Sequence, residues 1–192
     1  MPSSRLVTVP NALTVLRLIA IPFFVAATMA GQYDLAFGLF VGAGVTDVFD
    51  GYIARRLNQK SSLGAFLDPA ADKIMMFSAY ILYTFRTGIE EKIPVWLTLT
   101  IFLRDILIVF FAYLLYTRIN VRRFPPSVAG KISTVCQVTV VAGVIAANGV
   151  VHVIADPLLP ILIPTALIMT LLSGYGYVRR ARLRLDEMFE AA

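Results

Sequence analysis

Asp47, Asp50, Asp68 and Asp72 stand in the stretch GVTDVFDGYIARRLNQKSSLGAFLDPAADK of a chain that is otherwise mostly apolar. A carboxylate in a membrane-type sequence is costly, so four of them call for a cation, a proton path or an aqueous cavity. Spacings of three and four residues put each pair on one helical face. Four carboxylates within hydrogen-bonding distance of one another cannot all ionise unaided, because like charges oppose one another's ionisation. One or two divalent cations remove that conflict, and an oxygen-only ligand set favours Mg²⁺, Mn²⁺ or Ca²⁺ over zinc. The lone His152 falls on the far side of the expected membrane and is not among the ligands.

Gly51, Ala54 and Gly64 strip side chains from the surface beside the carboxylates. Taken singly, each is a helix-packing position. Beside Arg55, whose planar guanidinium matches phosphate oxygens, the set points to a phosphate-bearing ligand lying close to the backbone.

The elements that must position these residues are membrane helices. Of the 192 residues, 58% are hydrophobic and 15% charged, and the mean hydropathy is +0.78, too apolar for a soluble domain. Six spans are expected, at approximately 11–30, 35–57, 69–86, 94–117, 128–148 and 157–178, each near the ~20 residues needed to cross the hydrocarbon core. Gly31-Gln32, Gly88 with Glu90 and Glu91, Pro125-Pro126 and Asn148-Gly149 mark the turns between them. The chain reads as one membrane domain over 1–192, without repeats or linkers. The first apolar run is as long as a span and has no small-residue cleavage site after a short core, so it reads as a retained helix. Cys136 has no partner within the chain and reads as a quiet buried thiol.

Arg5, then Arg55, Arg56 and Lys60, then Arg118, Arg122 and Arg123, then Arg179, Arg180, Arg182 and Arg184 all fall on one side of this layout. The other side has only Arg86 and Lys92. The positive-inside rule therefore puts both termini and the Asp-rich connection in the cytoplasm, with the protein in the cell (inner) membrane. The same asymmetry accounts for the net charge of +5 without nucleic acid as a partner. The basic tail RRARLR reads as topogenic, with anionic headgroups as the other use of that charge.

The pattern Asp47-x2-Asp50-Gly51-x2-Ala54-Arg55-x8-Gly64-x3-Asp68-x3-Asp72 resembles the signature of the CDP-alcohol phosphatidyltransferase family, with every position occupied. TDVFDGYIARR, GAFLDPAADK and the opening PNALTVLR look most like its phosphatidylglycerophosphate synthase and eukaryotic-type cardiolipin synthase branches. The resemblance implies a six-helix membrane enzyme, a homodimer, that consumes CDP-diacylglycerol and releases CMP. Carried over by position, it implies that Asp47, Asp50, Asp68 and Asp72 hold two divalent ions, Mg²⁺ or Mn²⁺, with Asp72 also the general base. Gly51, Ala54 and Gly64 would admit the cytidine nucleotide, Arg55 and Ser61 would contact the donor, and Asn11, Ala12, Leu13 and Thr14 would complete the pocket.

Arg17, Arg104 and Lys131 are cations inside expected spans, where an unpaired charge is costly. They are candidates to receive an anionic acceptor; snorkelling or a structural ion pair is the competing explanation. Asp105 adjoins Arg104, but neighbouring helical residues point about 100° apart, so a simple pair does not follow. Glycerol 3-phosphate suits such a pocket and is the first expectation. Phosphatidylglycerophosphate synthases, however, carry Arg-Glu at this position and then a further basic and acidic pair, where this chain has the apolar ILIVFFAYLLY. Arg104-Asp105 with Gly130-Lys131-x2-Thr134-x2-Gln137 looks more like the cardiolipin synthase branch, whose acceptor is phosphatidylglycerol. Inositol phosphate is a third acceptor.

A cation-coupled transporter would place its carboxylates near the midplane, commonly within repeated halves, whereas these cluster toward one face and no repeat is visible. A structural scaffold would leave them without a purpose.

Overall fold

Helices account for nearly all of the computed structural model, which describes the backbone of residues 9–57, 62–119, 127–149 and 151–190. Side-chain environments are described for 14–46, 70–114, 117, 127–149 and 151–183. The elements are α1 (Val9–Met29), α2 (Tyr33–Leu57), α3 (Ser62–Phe85), α4 (Val95–Ile119), α5 (Val128–Ala147), a short α6 (His152–Ala155), a 3-10 turn (Asp156–Leu158) and α7 (Leu159–Glu190). Among the described residues there is no strand, so the all-α expectation holds.

The expectation of six membrane-crossing helices does not. Among the described residues three segments are long and apolar enough to cross: Val95–Leu114, Val128–Ala147 and His152–Leu183. Among the described residues, the apolar parts of α1 and α2 run over Thr14–Met29 and Tyr33–Thr46. Charge interrupts the apolar runs of two further helices: α2 continues through Asp47, Asp50, Arg55 and Arg56, and α3 carries Asp68, Asp72 and Lys73 in its first half. The placement of both termini in the cytoplasm rested in part on the count of six and is withdrawn with it.

The chain forms two compact units, Met1–Lys92 with Val141–Asp156, and Ile93–Val140 with Pro157–Ala192. In the first, α1 packs against both α2 and α3. Its buried stripe, Thr14, Arg17, Ile21, Phe24 and Thr28, follows the three-and-four spacing of a helix seam. Ala36 and Ala43 of α2 and Ala71 and Ala79 of α3 are buried, and small residues let helix backbones approach where lipid offers no hydrophobic drive. The Phe24 and Phe40 rings, 6.0 Å apart, fill the gap between α1 and α2. In the second unit α4 packs on α7, with Leu97 and Ile101 buried and Leu99, Leu103, Ile106, Phe110 and Tyr113 exposed on another face, as lipid contact requires. Cys136 is half-buried rather than enclosed.

Three of the expected turns are present, and Pro125-Pro126 lies outside the described residues. Gly31, at φ 74°, ends α1 in the left-handed conformation that glycine adopts without strain. Its N–H donates to the Thr28 carbonyl at 3.1 Å, and the Gln32 N–H donates to the Ala27 carbonyl at 2.9 Å. Arg86 reaches back to the same end, its Nη2 donating to the Met29 carbonyl at 2.7 Å, so this cation caps a helix C-terminus. Asn148 joins the end of α5 to the loop after α3. Its Oδ1 accepts the N–H groups of Glu90 and Glu91 at 3.0 and 3.1 Å, while its Nδ2 donates to the carbonyls of Glu91 and Val144, each at 2.8 Å.

Asn148→Ala removes the partner of several backbone groups at once and is expected to lower stability by about 2 kcal/mol. Thermal unfolding in detergent, compared with the exposed control Val153→Ala, measures that loss.

Candidate active site

The helical backbone places the signature residues on both sides of one short connection. Asp47, Asp50, Gly51, Ala54 and Arg55 occupy the C-terminal turns of α2, and Gly64, Asp68 and Asp72 follow at four-residue steps along the first half of α3. Ser61 lies outside the described residues, as do the side chains of Asn11, Ala12, Leu13, Asp47, Asp50, Gly51, Ala54, Arg55, Gly64 and Asp68. Among the described residues no three His, Cys, Asp or Glu side chains come together. Asp72 is the one expected ligand whose side chain is described, and 43% of it is exposed. A reachable carboxylate in a set of oxygen donors on two consecutive helices fits hard divalent cations.

Asp72 is not alone. Arg17 of α1 donates from Nη1 to its Oδ1 at 2.7 Å, and the Arg17 side chain is only 2% exposed. A buried guanidinium is costly to leave unpaired, and this carboxylate offsets that cost. Thr14, one turn earlier on the same face, is fully buried.

The second unit holds the other two cations. Arg104 of α4 donates from Nη1 to Asp105 Oδ1 and from Nη2 to Ser173 Oγ of α7, both at 2.7 Å. The neighbouring residues thus do pair, because a long side chain can fold back across the 100° that separates them. Gly130 lies close beside this group: a Cβ there would be 3.4 Å from Arg104 Nη2 and 3.1 Å from Ser127 Oγ. Ser127 itself caps α5, its Oγ accepting the Gly130 N–H at 2.9 Å. Lys131 is exposed.

Deeper in this unit Gln137 Nε2 donates to Ser133 Oγ and Thr170 Oγ1, both at 3.1 Å, in a buried polar cluster that ties α5 to α7. The sequence reading singled out Gln137 but neither its partners nor Ser173. Their signal was available as Ser133/Gln137 and Thr170/Ser173, polar pairs at helical spacing within apolar runs.

The family model described as CDP-alcohol phosphatidyltransferase matches residues 7–172. The chain belongs to the CDP-alcohol phosphatidyltransferase family. The signature, Arg17, Arg104 and Lys131 all lie within the matched residues, and the basic run from Arg179 lies beyond them. The cardiolipin synthase (CMP-forming) of Rattus norvegicus is 33% identical over 194 residues, which cover 91% of this chain and 62% of the relative. That of Streptomyces coelicolor is 39% identical over 109 residues, 54% of this chain and 49% of the relative. A Mycobacterium tuberculosis protein named "Probable phosphatidylglycerophosphate synthase" is 30% identical over 185 residues, 93% of this chain and 83% of the relative. The chain spans about three-fifths of the length of the first curated relatives it matches. Membership of this enzyme family places the chain with the phosphatidyltransferases, under both relatives' names.

Asp105→Ala leaves the Arg104 guanidinium, 11% exposed, without its carboxylate, and a loss of about 3 kcal/mol is expected. The double variant Arg104→Met/Asp105→Ala is expected to recover part of it, as read by thermal unfolding of both proteins.

Proposed function

We propose that the chain transfers the phosphatidyl group of CDP-diacylglycerol to phosphatidylglycerol, yielding cardiolipin and CMP. The family supports the donor and the reaction class. The acceptor is supported by the relatives named cardiolipin synthase and above all by α4. After Asp105 this helix carries no second basic and acidic pair, and Ile106, Val109, Phe110 and Tyr113 are exposed apolar side chains. Glycerol 3-phosphate, the acceptor first expected, has the relative named for phosphatidylglycerophosphate synthase in its favour and α4 against it.

In this reading Asp47, Asp50, Asp68 and Asp72 hold two divalent ions, Mg²⁺ or Mn²⁺, which neutralise the diphosphate and stabilise the departing phosphate when bound. Gly51, Ala54 and Gly64 leave space for the cytidine nucleotide at the helix backbones, and Asn11, Ala12, Leu13 and Thr14 border it. Arg55 and Ser61 orient the donor. Asp72 takes the proton of the acceptor hydroxyl, whose oxygen then bonds to the phosphorus that carries diacylglycerol, while that phosphorus releases the CMP oxygen. No residue becomes phosphorylated. Of the three cations read as acceptor contacts, Lys131 is the exposed one and is assigned the acceptor's phosphate. Arg55, Arg56 and Lys60 beside the carboxylates support a cytoplasmic position for the site in the cell membrane.

Purified protein supplied with Mg²⁺, CDP-diacylglycerol and each acceptor in turn is expected to form cardiolipin from phosphatidylglycerol. Phosphatidylglycerol phosphate as the sole lipid product, identified by mass spectrometry, would reverse the assignment of the acceptor. Asp72→Asn is expected to abolish CMP release while CDP-diacylglycerol binding is largely kept; robust turnover by that variant would remove Asp72 as the base.

A further inference from the structure

We infer that Arg17 is a positioning residue for the transfer, holding the Asp72 carboxylate in one place before the acceptor arrives, an inference that rests on the phosphatidyltransferase reading above. Arg17 was a candidate acceptor contact on its sequence alone. A cation that receives an incoming anion must be reachable, and the Arg17 side chain is 2% exposed. What it touches is the proton acceptor itself, at 2.7 Å from Nη1 to Oδ1.

The two partners differ in a way that suits this division of labour. Arg17 is sealed in the α1 seam between Thr14 and Ile21, so the packing of α1 fixes where its guanidinium can be. Asp72 keeps 43% of its side chain accessible, so it can meet a substrate while one oxygen is held. A carboxylate at a helix surface has several staggered rotamers, and a charge-assisted hydrogen bond from a fixed donor selects among them. Selection matters because a displacement of about 1 Å at a reacting group can cost about a hundredfold in rate.

Packing alone gives no reason for arginine at this position. The remainder of the α1 stripe is apolar or small, and an apolar residue of similar volume would fill the seam without a charge to desolvate. Exchanging a buried ion pair for such residues is often neutral or stabilising. The guanidinium is therefore retained for what it does to Asp72. Because the pair joins α1 to α3 across 55 residues, it also ties the segment that borders the nucleotide to the helix that carries the base.

The test compares wild type, Arg17→Met and Arg17→Lys in one detergent with Mg²⁺. CMP release gives kcat and the KM of CDP-diacylglycerol and of phosphatidylglycerol, with thermal unfolding recorded for each protein. Expected are a kcat lowered about 100-fold in Arg17→Met and about 10-fold in Arg17→Lys, with both KM values within about threefold of wild type. Lysine keeps a cation in the seam but lacks the planar fork, so that variant reports on positioning even where the methionine variant does not fold. The inference is overturned if every folded variant keeps kcat within about threefold, or if the KM of phosphatidylglycerol rises at least as much as kcat falls. Unfolding of both variants would assign Arg17 to the packing of α1 and overturn it equally. A wild-type protein that releases no CMP with any acceptor would instead refute the phosphatidyltransferase reading, and this inference with it.

Discussion

A charge in a low-dielectric interior must be matched or neutralised, and in this chain that constraint reaches from one buried guanidinium to the chemistry. Arg17 sits in the seam of α1, and Asp72 on α3 answers it at 2.7 Å. The pair ties α1 to α3 at the carboxylate proposed as the base. Arg104 is governed by the same requirement in the second unit, where Asp105 and Ser173 take its two terminal nitrogens. Arg17 and Arg104 are thereby committed to partners within the protein, which leaves Lys131 as the exposed one of the three cations.

Much of the local structure was legible because it is written in short-range chemistry. Gly31 and Gly88 were readable as turns, and both adopt the positive φ that glycine favours. The starts and ends of α4 and α5 followed apolar length and the proline that precedes each. The count of six spans failed where helix and span part company. The helices α2 and α3 are long enough, but they carry Asp47, Asp50, Asp68 and Asp72 and are less apolar than α4 and α5. Tertiary partnerships were not legible. Nothing local to Arg17 points to a carboxylate 55 positions away, and the Ser133, Gln137 and Thr170 cluster forms only when α5 and α7 meet.

The carboxylate motif identified the family from 26 residues, because its chemistry demands fixed types at fixed spacing on two helices. The acceptor has no such signature. It is read from the remainder of α4, where a single ion pair and an apolar exterior suit a lipid acceptor better than a small water-soluble phosphate. In the proposed function the donor is read from a compact motif and the acceptor from what α4 lacks.

The central claim is that the carboxylates of α2 and α3 form one divalent-cation site for the diphosphate. Anomalous diffraction from crystals of the protein grown with Mn²⁺ and a CDP-bearing ligand tests it most directly. The account predicts two manganese peaks within ligand distance of Asp47, Asp50, Asp68 and Asp72, beside the nucleotide's phosphates. Manganese bound elsewhere, or a nucleotide seated with no metal at these four residues, would contradict it.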